Sequence, residues 1–336
     1  MSRVAALLLF LVFVQGVDAL GQAFQLPTPN RTIFEPGREA DYFTPTVGRT
    51  WPSGTFGCVR SEGWQMHEGL DIKCIQRDSK GEPIDTISAA ADGTIVYINA
   101  KPGLSNYGNY IVMQHQIEGL TLYTLYAHLR KIPDGLRLGQ FKKTGEIIAT
   151  MGRTANTRQG ISRERAHLHF EINFLANQSF PIWYKKTFPG QRNNHGMWNG
   201  QNLIGIDPWK IFLEQKKASL EKRSFSLLQF IKTQPTLCRV RVKSQSLKWA
   251  KRFPQIVEEN KNSEVIGGYE LHLNTNGLPI KIIPIAAEEI NKDLVTLFEV
   301  NPEVYKADPC RKIVFKKGQK WILTAKGKTH INLITQ

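Results

Sequence analysis

The chain has 336 residues, 41% of them hydrophobic, with ordinary glycine and proline counts, no low-complexity tract and no convincing internal repeat. Such a composition excludes a disordered chain or a repeat array, and the length makes two domains the default. The formal charge is +15, and residues 216–336 hold 22 Lys or Arg against 11 Asp or Glu, so +11 of it lies in that last third; a basic surface of this kind attracts anionic polymers unless it is merely solvated.

The first residues carry Arg3, an apolar run from Val4 to Val14, and then Val17-Asp18-Ala19. This reads as a secretory signal peptide over residues 1–19, because the run is shorter than the roughly 20 residues that span a bilayer. No Cys follows it to take a lipid anchor, and no later segment is long and apolar enough to cross a membrane. Residues 20–49, rich in Pro, Thr, Asn and Gly, read as an extended lead-in crossing the surface. From Phe56 to Ile172 short β segments such as "GTIVYINA", "NYIVMQH", "LTLYTLYAHL" and "HLHFEIN" are separated by glycine turns, with no long amphipathic helix between them. That pattern predicts a mainly β, antiparallel domain. A long Trp- and Asn-rich loop runs from Phe174 to Ile206, and Asp207-Pro208 then marks the cap and first position of a helix. The predicted plan is a first domain over 50–213, a basic helical linker over 214–235 and a small, basic, β-rich C-terminal domain over 236–336. Within the last, hairpins are expected at "NTNG", "KKGQK" and "AKGKT", and a short helix near residues 287–298.

Four cysteines, Cys58, Cys74, Cys238 and Cys310, suit an oxidising compartment. Of the three connectivities, pairing within each half, Cys58 with Cys74 and Cys238 with Cys310, is the preferred one. Four reduced buried thiols are the alternative. The absence of any CxxC spacing argues against a thiolate metal site.

The chemistry concentrates in "AHLHFE", where His167 and His169 share one face of a strand. Burying two neutral imidazoles side by side is costly without partners, and a metal resolves that cost. A lone HxH is weak, but "MHEGLDI" adds His67 and Asp71, the residue types that complete a His2Asp zinc shell with a fourth position open for water. "LYAHL" adds His128 at a strand end. Together with "SGTFGCVRSEGWQMHEGLDI", "AADGTIVYI", "YGNYIVMQH" and "KKTGEIIATMGRTANT", these segments resemble the successive blocks of the LytM/lysostaphin-type zinc metallopeptidases, in the same order, over residues 50 to 210 and no further. The C-terminal domain resembles nothing recognised.

The resemblance implies one Zn2+ per chain held by His67, Asp71 and His169. It implies that His128 and His167, the non-ligand histidines, take the proton of the attacking water and stabilise the oxyanion, without saying which does which. It also places Tyr107 and Asn109 near the substrate groove, where the alternative is a turn that simply needs Asn and Gly. The implied activity is hydrolysis of peptide bonds in peptidoglycan stems or cross-links by an exported enzyme, periplasmic or wall-associated. The partner is then peptidoglycan or another anionic wall polymer, with no nucleic acid expected. All five site positions hold the family's residue types. Alternatives are a non-hydrolytic wall-binding or amidase-activating protein and a general secreted metalloprotease. Outside the site, His115 reads as structural, while Trp183, Tyr184 and Trp198 are candidates for either a peptide-binding wall or a local mini-core. His195, His272 and His330 lack partner spacing and read as surface residues. The length of the Phe174–Ile206 loop bears on specificity more than on chemistry.

Overall fold

The computed structural model describes residues 23–336 except 158, 259–264, 291 and 292, so the signal peptide expected at 1–19 lies outside the described residues. Among the described residues, no helix is long and apolar enough to cross a membrane.

The first domain is antiparallel. Its strands are β1 (Gly57–Arg60), β2 (Gln65–His67), β3 (Leu70–Lys73), β4 (Thr86–Ser88), β5 (Gly93–Asn99), β6 (Tyr110–Ile117), β7 (Leu120–Ala127), β8 (Phe141–Lys142), β9 (Ile147–Thr150), β10 (His167–Leu175) and β11 (Leu203–Ile206). The main sheet runs β11-β10-β7-β6-β5-β8, and β3 also pairs with β10. Strand β10 is the hub: one edge pairs with β7, and the other pairs first with β3 and then with β11. All nine of its residues are buried, yet it alternates His167, His169, Glu171 and Asn173 with Leu168, Phe170, Ile172 and Phe174. One face of the strand therefore supplies the apolar core and the other a buried polar site. The β6–β7 turn sets Glu118 and Gly119 both at positive φ, the backbone that a two-residue hairpin needs to match strand twist.

The apolar face is covered by three pieces. Helix α3 (Pro208–Leu220, after α1, Glu39–Tyr42, and α2, Phe180–Thr187) begins where expected: Asp207 caps the backbone N–H groups of Trp209 and Lys210, and Phe212 stacks on Phe170. Residues 23–43, expected on the surface, are instead part of the core. Phe24, Tyr42 and Phe43 are fully buried, and Gln215 makes two 2.8 Å hydrogen bonds to the backbone of Phe24. The third piece is the C-terminal region, with strands β12 (Cys238–Lys243), β13 (Ile266–Leu273), β14 (Pro279–Ala286) and β15 (Val295–Val300) in the order β14-β13-β12-β15, followed by the hairpin β16 (Val314–Lys317) and β17 (Lys320–Leu323). Helices α4 (Leu227–Lys232), α5 (Lys248–Arg252), α6 (Pro302–Ala307) and α7 (Ala325–Thr335) complete it.

Two expectations for this region fail. Residues 295–300, "VTLFEV", form the edge strand β15 on β12 rather than the end of a helix, because β-branched side chains find a pairing edge there. "AKGKT" lies in α7, capped by Thr324, and not in a hairpin turn.

The C-terminal region shares its core with the first domain. One continuous apolar cluster runs from Phe24 through Phe170 and Trp249 to Ile334. Backbone carbonyls of Gly205, Leu175, Ala176 and Leu333 take side-chain hydrogen bonds across the boundary from Asn276, Arg252 and Asn177.

The disulfide expectation also needs correction: Cys58 bonds Cys310, 252 residues away, and Cys74 and Cys238 are free and buried. Cys74 Sγ donates to Asp85, and Cys238 packs on the core face of β12. Burial, aided at Cys74 by Asp85, pushes both thiols up to about 12.

Candidate metal centre

The centre lies on the polar face of β10. The register pairs His169 with Asp71 on one side and with Ala127 on the other, so these two candidate ligands on neighbouring strands meet directly, and His128 follows at the end of β7. His67 arrives from β2 through a tight connection. Gly69 is required there, because a Cβ would stand 2.3 Å from the Phe170 carbonyl oxygen. His67 Nε2, Asp71 Oδ1 and His169 Nδ1 form a triangle with edges of 3.1, 3.1 and 3.0 Å. A tetrahedral zinc with bonds near 2.0–2.1 Å needs donor atoms about 3.3 Å apart, so this buried triangle fits three protein ligands with a small expansion. They are also the one group of potential metal-holding His, Cys, Asp and Glu residues found among the described residues.

The tautomers agree with that reading. His67 Nδ1–H donates to the Thr55 carbonyl at 2.7 Å, and His169 Nε2–H donates to Glu171 Oε1 at 2.8 Å. Each bond turns the other ring nitrogen, with its lone pair, toward the centre. Glu171 is held in turn by the Tyr107 hydroxyl at 2.7 Å and by Asn173 Nδ2 at 2.8 Å. Burial opposes charge on Asp71, but the imidazoles of His167, His67 and His169 hold its carboxyl well below the usual range. Burial likewise opposes charge on His169, but the Asp71 and Glu171 carboxylates lift it to about 10, so in the metal-free site Nδ1 carries a proton toward Asp71 that a bound metal would displace.

His128 and His167 stand beside the triangle, their ring centres 4.9 Å apart. His167 Nδ1–H donates to the Arg165 carbonyl and His128 Nδ1–H to the Thr154 carbonyl, leaving both Nε2 atoms as acceptors. Burial lowers the pKa of both, and neighbouring imidazoles lower His128 further, so the neutral, proton-accepting forms prevail. His128 adopts a left-handed backbone at φ 61°, and its backbone N–H is held by the Tyr107 carbonyl. Gly152 must be glycine because a Cβ there would meet the backbone of His128 and Arg130 at 2.3–2.6 Å.

The five expected site residues therefore converge. Tyr107 serves the centre through Glu171 and also lines a neighbouring cavity, whereas Asn109 braces the loop behind His128 by donating to the Leu129 carbonyl. His115 is structural as expected, bonded to the Asp92 carbonyl and Thr124. Trp183 and Tyr184 form a mini-core with Phe180 and Phe188, and Trp198 packs on Tyr123. His195, His272 and His330 are half-buried and hydrogen-bonded rather than surface residues, to Tyr97, Glu270 and the Gly277 carbonyl.

Two residues escaped sequence reasoning. Glu171 was detectable, since it repeats the alternation of His167 and His169. Arg60 was not: its Nη2 donates to Asp71 Oδ2 at 2.5 Å and lies 3.0 Å from His67 Nε2, a placement created by the irregular β1–β2 pairing.

Residues 65–181 match the model of peptidase family M23. The segment that builds this centre is thus similar to peptidase family M23, and the match includes all five site residues while leaving out Arg60 and everything after Pro181. Among solved structures the chain is similar to the catalytic domain of the antimicrobial peptidase lysostaphin from Staphylococcus simulans, at 20% identity over 52% of this chain and 89% of that one, TM-score 0.29. It is also similar to a zinc-containing peptidase from Vibrio cholerae, at 22% identity over 45% of this chain and 33% of that one, TM-score 0.24. The chain thus matches one third of the length of the Vibrio protein. No curated protein matches it.

Proposed function

We propose that the chain is an exported, zinc-dependent endopeptidase that hydrolyses peptide bonds in peptidoglycan stems or cross-links. The observation that carries this reading is the buried His67–Asp71–His169 triangle, with each imidazole turned inward by an outward hydrogen bond. Zinc held by these three residues supplies a Lewis acid that polarises the scissile carbonyl and brings the pKa of water toward neutrality. The chain's own groups do the rest. His128 and His167 present unprotonated Nε2 atoms beside the triangle, so one accepts the proton of the attacking water and the other, once protonated, stabilises the developing oxyanion. The Cys58–Cys310 bond suits an oxidising compartment, and the basic C-terminal region holds the enzyme near an anionic wall.

The test is digestion of purified peptidoglycan by the mature protein, with mass spectrometry of the released fragments to identify the bond cut. Solubilisation by the wild type and none by His169→Ala is expected. If both are equally inert while both bind sacculi, the protein is a wall-binding one and the enzymatic reading fails. Equal or faster digestion of an unfolded protein would point instead to a general secreted protease.

A further inference from the structure

Beside the metal centre, between the first domain and the C-terminal region, lies an open cavity of about 730 Å3, within the roughly 300–1,000 Å3 typical of small-ligand sites. Its wall on the side of the centre is made by Gln65, Glu68 and Tyr107, which flank His67 and reach Glu171. Arg311, Lys326 and His330 supply much of the opposite wall. Asn199, Gln201 and Trp183 add neutral donors and an aromatic face.

Two cations face one acid there, so a net positive charge remains. The Arg311 guanidinium and Lys326 ammonium make no salt bridge or side-chain hydrogen bond with a described residue, and Glu68, the one acid lining the cavity, is not within ion-pair distance of either. Arg311 is half-buried, and both cations have their pKa lowered, first by burial and then, at Lys326, by repulsion from Arg311 and Lys312, with the Glu68 carboxylate offsetting only part of this at each. A half-buried guanidinium with its donors unused is an incomplete site, because its planar fork matches a carboxylate in two parallel hydrogen bonds.

Its position is also fixed. Arg311 follows Cys310, whose bond to Cys58 joins it to β1, and β1 pairs Gly57 with His67. The disulfide thus ties the cation to the strand pair that carries a metal ligand.

We propose that this cavity is a carboxylate subsite, in which Arg311 and Lys326 bind a free carboxylate of an acidic peptide while the bond to be cut lies at the metal centre. It rests on the peptidase reading for the second clause alone; the binding of a carboxylate peptide stands by itself. The C-terminal region then contributes directly to substrate selection.

The test uses the full mature chain, stripped of metal with a chelator so that nothing is turned over. The probe is the tetrapeptide alanyl-glutamyl-lysyl-alanine, as free acid and with every carboxyl amidated, titrated by calorimetry. The wild type is expected to bind the free acid at least about 10-fold more tightly than the amide. Arg311→Gln with Lys326→Gln should abolish that preference without lowering the thermal midpoint, and in the metal-loaded protein should raise KM for peptidoglycan with kcat kept. Equal binding of acid and amide by the wild type, no binding of either, or an undiminished preference in the double variant would each overturn the subsite. A preference for the acid with no peptidoglycan turnover would keep the subsite and reject the peptidase reading.

Discussion

Replacing Glu171 by glutamine separates the metal-orienting role of this carboxylate from its contribution to the fold. Glu171 Oε1 accepts from His169 Nε2–H at 2.8 Å and from the Tyr107 hydroxyl at 2.7 Å, while Oε2 accepts from Asn173 Nδ2 at 2.8 Å. In Glu171→Gln the amide oxygen takes the Oε1 position and keeps two of these bonds, but each is now made to a neutral acceptor and is roughly half as strong. The new amide nitrogen would face the Asn173 donor, a clash of two N–H groups. Asn173 Oδ1, however, is buried with no partner, so a flip of the Asn173 amide turns that oxygen to the new donor and restores the bond. Stability should therefore move by less than about 1 kcal/mol. The basicity that the carboxylate lends to His169 is not restored, and loss of such an outer partner costs about 10–100-fold in metal affinity, or about 1.4–2.7 kcal/mol. Competition with a chromophoric zinc chelator measures the affinity and thermal unfolding of the metal-free protein measures the fold. A zinc affinity within twofold of wild type would refute the claim that Glu171 orients His169; a large loss of stability would refute the compensating flip.

Other perturbations follow from the same geometry. Cys58→Ser with Cys310→Ser opens a connection of 252 residues, for which chain entropy alone predicts about 5.5 kcal/mol and native disulfides typically give about 2–4; denaturant unfolding should show a loss in that range, and no loss would mean the C-terminal packing holds without the bond. His115, fully buried and bonded to the Asp92 carbonyl and Thr124, is lowered by burial to about 4 from 6.5. The unfolded chain takes up the proton first, so this stability is complete above pH 6.5 and is lost as the pH falls from 6.5 toward 4, by about 1.4 kcal/mol per unit. His115→Gln should flatten that part of the stability profile, and an unchanged slope would count against it. Arg60 places a cation against Asp71 and beside the His67 lone pair. Arg60→Met should strengthen zinc binding in the chelator assay, since a divalent ion no longer displaces a like charge; weaker binding would show that the guanidinium serves chiefly to hold Asp71 in place.

The parts of this protein legible in its sequence are those governed by short-range periodicity. Alternation along "HLHFEIN" correctly put His167 and His169 on one face, and Asp207-Pro208 correctly opened a helix, because strand pleat and helix capping depend on neighbours two or three residues away. Glu171 follows from the same alternation. Arg60 does not, since its approach to Asp71 depends on an irregular register between β1 and β2 that no local pattern encodes. Residues 23–43 misled for a related reason: their proline and polar content reads as loop, but isolated Phe24, Tyr42 and Phe43 find their burial on strands and helices distant in sequence.

The disulfide error has a larger consequence. Pairing cysteines within each half is not what forms: the Cys58–Cys310 bond joins the first domain to the C-terminal region, together with the packing around it. A chain ended at Leu213 would leave Cys58 unpaired, remove Arg252 and Asn276 from the carbonyls of Leu175, Ala176 and Gly205, and uncover Phe174 where it packs on Trp249 and Phe253. Phe174 belongs to β10, the strand that carries His167 and His169. The same strand pairs with β11 around Phe174 and with β7 from His169 to Asn173. The region outside the family match thus covers the end of β10 opposite its two histidines.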